Sequence, residues 1–235
     1  MIRALVRGLG ELLVTSGVLV LLFLAYQLWW TDVVGDRAQQ RTTDALAQQW
    51  GDAAAPETED AASAEGTTTA EAEQVLADLP ADVVALLRVP RFGEDYVRPV
   101  LEGTTDAVLE DGVGHYDGAA LPGEVGNFAI AGHRTTWGAP FNPIAELVEG
   151  DAVVVETETE FHVYRVQVTE IVLPTDVRVI APVPSQPGET PTEEWLTMTS
   201  CHPMFSARER YVVHALLEAT TPRADGPPDA LQELT

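Results

Sequence analysis

The chain has 235 residues, room for one compact domain with appendages, which excludes a multidomain machine. Its 13 basic residues are all Arg and face 37 acidic ones, giving a formal net charge of −24; with no basic stripe to exchange for phosphate counterions, a nucleic-acid partner is excluded. The only Cys, Cys201, excludes an intramolecular disulfide framework and any zinc site built on two or more cysteines.

The first thirty residues differ from the rest. Residues 12–30 carry no charge, and at about 1.5 Å per residue such a helix just spans a bilayer core of about 30 Å. The run ends in Tyr26, Leu28, Trp29 and Trp30, which suit an interfacial aromatic belt; a cleaved signal would have a shorter apolar stretch and small residues at a cleavage site. Arg3 and Arg7 precede the span and Asp32 and Asp36 follow it, so the positive-inside rule puts the N-terminus in the cytoplasm. Residues 1–30 are therefore expected to be a cytoplasmic stub and a single transmembrane anchor in the cell membrane, with everything after Trp30 outside.

Residues 31–80 turn to Ala, Glu, Asp, Gln and Thr, with 11 acids against two Arg. Such a segment buries too little apolar surface to offset its ordering entropy, and the expectation is a flexible, self-repelling spacer. Short helices at 38–50 and 70–79 are its only candidate structure. Residues 221–235, with Gly226-Pro227-Pro228, are expected to be a polar tail.

The folded part is placed at 81–220. Residues 83–89, 96–101, 127–131, 151–156, 161–173, 195–200 and 210–218 are short, rich in β-branched and aromatic side chains, and separated by Gly, Pro and Asp, which predicts strands. Residues 104–111 and 142–148 are the candidate helices, the second opened by Asn142 as cap and Pro143 in the first turn. Many short strands favour a closed or nearly closed barrel, because closure removes exposed edges; the pattern alone does not choose between barrel and sandwich.

Three positions bear on chemistry. Cys201 follows the alternating run Trp195-Leu196-Thr197-Met198-Thr199-Ser200 and precedes His202-Pro203, so it stands at a strand end, as buried filler or as a nucleophile. His133 follows the apolar run 126–132 at the start of a polar turn. Arg208 and Arg210 lie seven and nine residues beyond Cys201, and an antiparallel strand opening there brings an Arg beside the thiol. Taken singly, each has an ordinary structural reading.

Together they are far more specific. Ala129-Ile130-Ala131-Gly132-His133-Arg134, Thr197-Met198-Thr199-Ser200-Cys201 and Arg210-Tyr211-Val212-Val213 resemble the His, Cys and Arg signatures of sortases, in order and on strands. His115-Tyr116-Asp117-Gly118-Ala119-Ala120-Leu121-Pro122-Gly123, the run 127–136, Gly138-Ala139-Pro140-Phe141 and Cys201-His202-Pro203 resemble class E sortases of Gram-positive actinobacteria. The resemblance covers about residues 83–219.

It implies a mainly β fold, a closed eight-stranded barrel with short helices, behind one N-terminal transmembrane helix. It also implies a cysteine transpeptidase, of the peptide-bond hydrolase class, with no cofactor and no metal. The family's partners are secreted proteins bearing a C-terminal sorting signal and an amine of a cell-wall precursor. By the resemblance Cys201 is the nucleophile, His133 the general acid and base, and Arg210, with Arg208 as competitor, the substrate and oxyanion holder. Class E resemblance extends to a Leu-Ala-x-Thr-Gly signal in place of the usual Leu-Pro form, with Tyr116 reading the second position and Ala120, Leu121 and Thr199 lining the groove. Some sortases use calcium, and the acidic runs 156–160 and 189–194 could bind it weakly, though a solvated charged face is their ordinary reading. His202 and His214 read as structural. The rival functions are a Cys–His peptidase acting by hydrolysis, a membrane-tethered binding module with an inert Cys, and a degenerate family member.

Overall fold

The computed structural model describes residues 2–53 and 83–232. Eight strands, β1 (Val83–Arg88), β2 (Val97–Glu102), β3 (Val113–His115), β4 (Gly126–Ala131), β5 (Ala152–Glu156), β6 (Glu160–Val172), β7 (Glu194–His202) and β8 (Glu209–Pro222), close into a barrel in the order β1-β2-β3-β4-β7-β8-β6-β5. Pairing is antiparallel except at β2–β3 and β4–β7. The closure is what the edge argument favoured: β1 pairs with both β2 and β5, so no strand is left at an edge.

Alternation decides what goes inside. Phe128 and Ile130 of β4, Leu196 and Met198 of β7, Val213 and Ala215 of β8, and Tyr164 and Val166 of β6 meet in one core with Leu87, Val100 and Val155. The opposite faces of several strands are apolar too, and each is covered. The 3-10 turn Val177–Ile180, in the β6–β7 connection, packs Val179 on Val172 and Val212. The turn Asp229–Gln232 packs Ala230 on Ala152, Val154, Phe161 and Val163. Part of the expected polar tail is thus a lid on β5 and β6, seated by Ala230 and Leu231, and β8 itself runs on to Pro222.

Helix α1 runs unbroken over Ile2–Ala53. Its window Val6–Phe23 has a mean hydropathy of 1.8 and is exposed along its length, a candidate membrane span that begins six residues before the one read from charge-free sequence. The i,i+4 pair Arg7–Glu11, at 2.9 Å, lets that window start among charges. The second half of α1 departs from the expectation of a flexible spacer over 31–80. Leu46 and Trp50 pack with Leu86 of β1, beside Val97, and Arg98 bonds Asp36 at 2.8 Å. The spacer reading missed this because two large apolar residues, Leu46 and Trp50, in this mostly polar half of the helix leave a weak pattern. Residues 54–82, including the candidate helix 70–79, lie outside the described residues.

The remaining elements follow local chemistry. Helix α2 (Asp106–Asp111) is shorter than the expected 104–111 because Thr105 is its cap, its hydroxyl accepting from the Val108 amide. The expected helix 142–148 reduces to a 3-10 turn, Ile144–Glu146. Asn142 does not cap it: its side chain donates to the Arg134 carbonyl at 3.0 Å, tying it to the loop after β4.

Candidate active site

Strands β7 and β8 run antiparallel in a register that sets Cys201 directly opposite Arg210. Leu196 and Met198 point into the barrel, so the odd-numbered residues of β7, Thr197, Thr199 and Cys201, stand on its outer face. Val213 and Ala215 of β8 point inward, which puts Arg210 on that same outer face. Arg208 lies in the turn before β8, exposed and outside the pairing. Geometry therefore separates the two arginines that strand parity alone left equivalent.

The third residue arrives from β4. Its parallel register with β7 pairs Ala131 with Thr199, and the bonding continues past the strand: the Gly132 amide donates to the Thr199 carbonyl at 3.1 Å, and Ser200 Oγ to the Gly132 carbonyl at 2.8 Å. His133 stands two residues beyond Ala131, as Cys201 stands two residues beyond Thr199. Gly132 leaves room for Phe141, whose ring would stand 2.8 Å from a Cβ there. Cys201, His133 and Arg210 are each half-buried, Cys201 and Arg210 near the facing ends of β7 and β8 and His133 just past the end of β4.

Burial pushes the His133 imidazole below its usual value of 6.5, against the opposing charges of Asp106 and Glu110 on α2. Arg134, the next residue, turns the other way and is 6% exposed. Its Nε donates to the Asn142 carbonyl at 2.8 Å, its Nη1 to the Cys201 carbonyl at 3.3 Å, and the guanidinium lies over the Tyr211 ring at 5.9 Å. Arg134 thus pins the His133 turn to the backbone of the thiol. Sequence reasoning quoted it within a motif and gave it no role, since a buried Arg is indistinguishable from an exposed one by composition. Arg210 Nη1 donates to the Ala207 and Glu209 carbonyls at 3.1 and 3.0 Å, holding it over the β7–β8 turn.

The four candidate groove residues divide. Tyr116 Oη and Thr199 Oγ1 are hydrogen-bonded at 3.0 Å, which places Tyr116 within two residues of the thiol along β7. Tyr116 also lines, with Ala120, Glu124, Asn127, Ile180 and Pro182, an open depression of about 420 Å³ between the β3–β4 and β6–β7 connections. Leu121 is exposed but is not part of that lining. Asn127, which the sequence reading passed over, is buried and its Nδ2 donates to the Val179 and Ala181 carbonyls at 3.2 and 2.9 Å, anchoring the β6–β7 connection as the far wall.

The other histidines have neighbours of their own. His214 is buried between Thr197 and Glu170, at 2.8 and 3.0 Å. His202 pairs across the strands with Glu209 and lies 5.7 Å from the Tyr211 ring. Of the acidic run 156–160, Glu156 is buried and held by Arg88 and Arg223 at 2.7 and 2.9 Å. Among the described residues no group of three His, Cys, Asp or Glu converges as a metal site would.

Comparison with known proteins bears on the family and the fold. A family model for the sortase domain matches residues 87–218. The chain is 36% identical over 233 residues to Sortase SrtE1 of Streptomyces coelicolor, covering 96% of this chain and 60% of that protein. It is 34% identical over 240 residues to Sortase SrtE2 of the same organism, covering 97% of this chain and 88% of the relative. The chain therefore spans about three fifths of the length of the first of these relatives. Among solved structures it is similar to sortase E from Streptomyces avermitilis, with a TM-score of 0.58, 41% identity, and 64% of this chain and 97% of that one covered. It is likewise similar to Sortase E1 from Streptomyces coelicolor with a tripeptide in the active site, with a TM-score of 0.59, 39% identity, and 64% and 96% covered.

Proposed function

The chain belongs to the sortase family, with class E relatives, and from that premise we propose that it cleaves a Leu-Ala/Pro-x-Thr-Gly signal between Thr and Gly and transfers the acyl chain to an amine. The observation that carries this reading is the register that sets Cys201 opposite Arg210, with His133 following the end of β4, the strand paired to β7.

The Cys201 thiolate attacks the Thr carbonyl carbon, forming the C–S bond and putting negative charge on the carbonyl oxygen. Arg210, fixed by the Ala207 and Glu209 carbonyls, offers its remaining N–H groups to that oxygen, a charge placed where charge develops. As the intermediate collapses, the C–N bond breaks and the His133 imidazolium gives its proton to the departing Gly amine. A thioester remains on Cys201. The acceptor amine then attacks that carbonyl, His133 takes back a proton, and the thiolate leaves. Burial lowers the His133 pKa and so disfavours the imidazolium used in the first step, while Asp106 and Glu110 counter that loss.

The acyl donors are secreted proteins carrying the signal near their C-termini, and the acceptor is an amine of a cell-wall precursor. Helix α1 crosses the cell membrane once with Arg3 and Arg7 on the cytoplasmic side, which leaves the barrel outside. Tyr116 and Thr199, bonded to each other, form the floor on which the second signal residue rests, with Ala120 in the depression that Tyr116 lines and Leu121 exposed next to it in the chain. Tyr116→Phe removes that hydroxyl; the expected result is a changed ratio of kcat/KM for Leu-Ala over Leu-Pro peptides, and an unchanged ratio removes Tyr116 from this role. Peptide cleavage with and without an added amine tests the reaction itself: ligated product supports transfer, and hydrolysis alone at saturating amine argues for a Cys–His peptidase.

A further inference from the structure

The turn that follows His133 is bent through unusual backbone. Trp137, Gly138 and Ala139 have φ of 55°, 73° and 40°, so two residues bearing side chains sit consecutively about a glycine in the left-handed region. Non-glycine residues keep such angles only where their surroundings over-determine them. Part of that constraint is internal. The Phe141 amide donates to the His133 carbonyl at 3.0 Å, Ala139 to Thr136 at 2.9 Å, and the Tyr96 hydroxyl to the Pro140 carbonyl at 2.6 Å.

The rest comes from outside the barrel. Gln39 of α1 is fully buried, and its Nε2 donates to the Trp137 carbonyl at 2.8 Å across 98 residues of chain. Four residues earlier, one turn along the same helix face, Gly35 lies against the backbone of the bend: a Cβ there would stand 2.5 Å from the Trp137 carbonyl carbon and 2.8 Å from the Gly138 nitrogen. From the other side, a Cβ on Gly138 would meet the Asp36 backbone nitrogen at 2.9 Å. Each backbone thus has a glycine at the point of contact. A glycine inside a helix is unfavourable for the helix itself, so the close approach is what Gly35 serves. Asp36 then binds Arg98, and Leu46 and Trp50 fix the helix to β1 further along.

We propose that Gly35 and Gln39 of helix α1 are positioning residues for the reaction, clamping the strained 137–139 bend and through it the placement of His133 beside Cys201. The helix that carries the candidate membrane span is, in this view, also part of the scaffold of the catalytic turn. This rests on His133 as the acid and base described above. From Phe23, the last residue of the apolar window, to Gly35 the continuous helix rises only about 18 Å, so the clamp also holds the reacting groups at a set distance from the span.

The test uses the full chain in detergent micelles or nanodiscs and compares Gly35→Ala with Gly10→Ala. Both replacements improve helix propensity, but at Gly10 a Cβ meets nothing within 4 Å. Gln39→Glu, nearly isosteric, removes the donor to the Trp137 carbonyl without changing bulk. Because Cys201 is the only cysteine, its alkylation by iodoacetamide across pH reports on the His133–Cys201 pair without any peptide, with His133→Ala as the reference for a lost imidazole. The expected result is that Gly35→Ala and Gln39→Glu lower kcat by about 10- to 100-fold, with KM little changed, and move the alkylation profile toward that of His133→Ala, while Gly10→Ala matches wild type. Melting temperatures identify any variant that loses activity by unfolding. A Gly35→Ala and a Gln39→Glu that both match Gly10→Ala in kcat and in alkylation profile overturn the proposal. If the wild type cleaves no signal peptide, the transpeptidase reading fails, and the alkylation profiles still decide whether the helix positions His133.

Discussion

At the scale of single residues, the separation of roles follows from parity and register. Cys201 and Arg210 face each other across β7 and β8, so the arginine's charge is placed at a fixed point beside the thiol, and Lys, lacking the planar fork, does not reproduce it. Arg210→Ala is expected to lower kcat about 10²- to 10³-fold, the scale for removing one oxyanion donor, and Arg208→Ala to have little effect; equal losses from both in steady-state kinetics would place Arg208 in the site as well. Asp106 and Glu110 raise the His133 pKa against burial, so Asp106→Asn with Glu110→Gln should move the His133-dependent limb of the kcat/KM profile to lower pH, most visibly at low ionic strength. An unmoved limb would mean that α2 has no electrostatic hold on the imidazole. The strand-end positions of Cys201 and Arg210 were legible in the sequence because the motifs around them, like that around His133, are local and ordered. Arg134 and Asn127 were not, because what distinguishes them is burial against the Cys201, Asn142, Val179 and Ala181 carbonyls, and those partners are 8 to 67 residues away.

At the scale of elements, seven of the strands announced themselves by β-branched runs between Gly, Pro and Asp. β3 did not: Val113-Gly114-His115 is three residues long, and Gly114 is there because a Cβ would run into the Gly103 carbonyl oxygen, with the Leu109 side chain close behind. The second half of α1 was hidden for another reason. Its docking surface is made by Gly35, Gln39, Leu46 and Trp50, too sparse and too polar to read as an amphipathic stripe among acidic neighbours. A docked helix and a solvated spacer differ sharply in amide exchange. Amides of residues 39–50 should exchange orders of magnitude more slowly than those of an unstructured acidic peptide, and exchange within seconds would return this segment to the status of spacer. Trp50 packs on Leu86 and under the Arg223 guanidinium at 5.5 Å, so Trp50→Ala should cost about 3 kcal/mol of stability, measurable by denaturant unfolding of the full chain.

For the whole molecule, the titration of buried groups points in one direction. His133, His162 and His214 are all pushed below 6.5 by burial, so the unfolded chain binds protons more readily than the folded one and stability falls as pH drops through that value. Burial alone would raise Glu170, but hydrogen bonds from Arg178, Ser185 and His214 outweigh it and hold the carboxyl at about 2, adding stability that is lost between about 4.5 and 2. The barrel is therefore expected to melt lower at pH 5 than at pH 7.5, and a melting temperature that is flat or rises on acidification would contradict this burial pattern. The number of strands and the need to hide their edges favoured closure without separating barrel from sandwich, and the covers on the outer face, α1, the turn Val177–Ile180 and the turn Asp229–Gln232, depend on contacts that a one-dimensional pattern does not carry. The most direct measurement is incubation of the full chain, beside Cys201→Ala, with a fluorogenic Leu-Ala-x-Thr-Gly peptide and an amine acceptor. Cleavage at Thr–Gly that requires Cys201 and yields the amine-ligated product is predicted; cleavage that persists in Cys201→Ala, or that gives only the free acid at saturating amine, would contradict a cysteine transpeptidase.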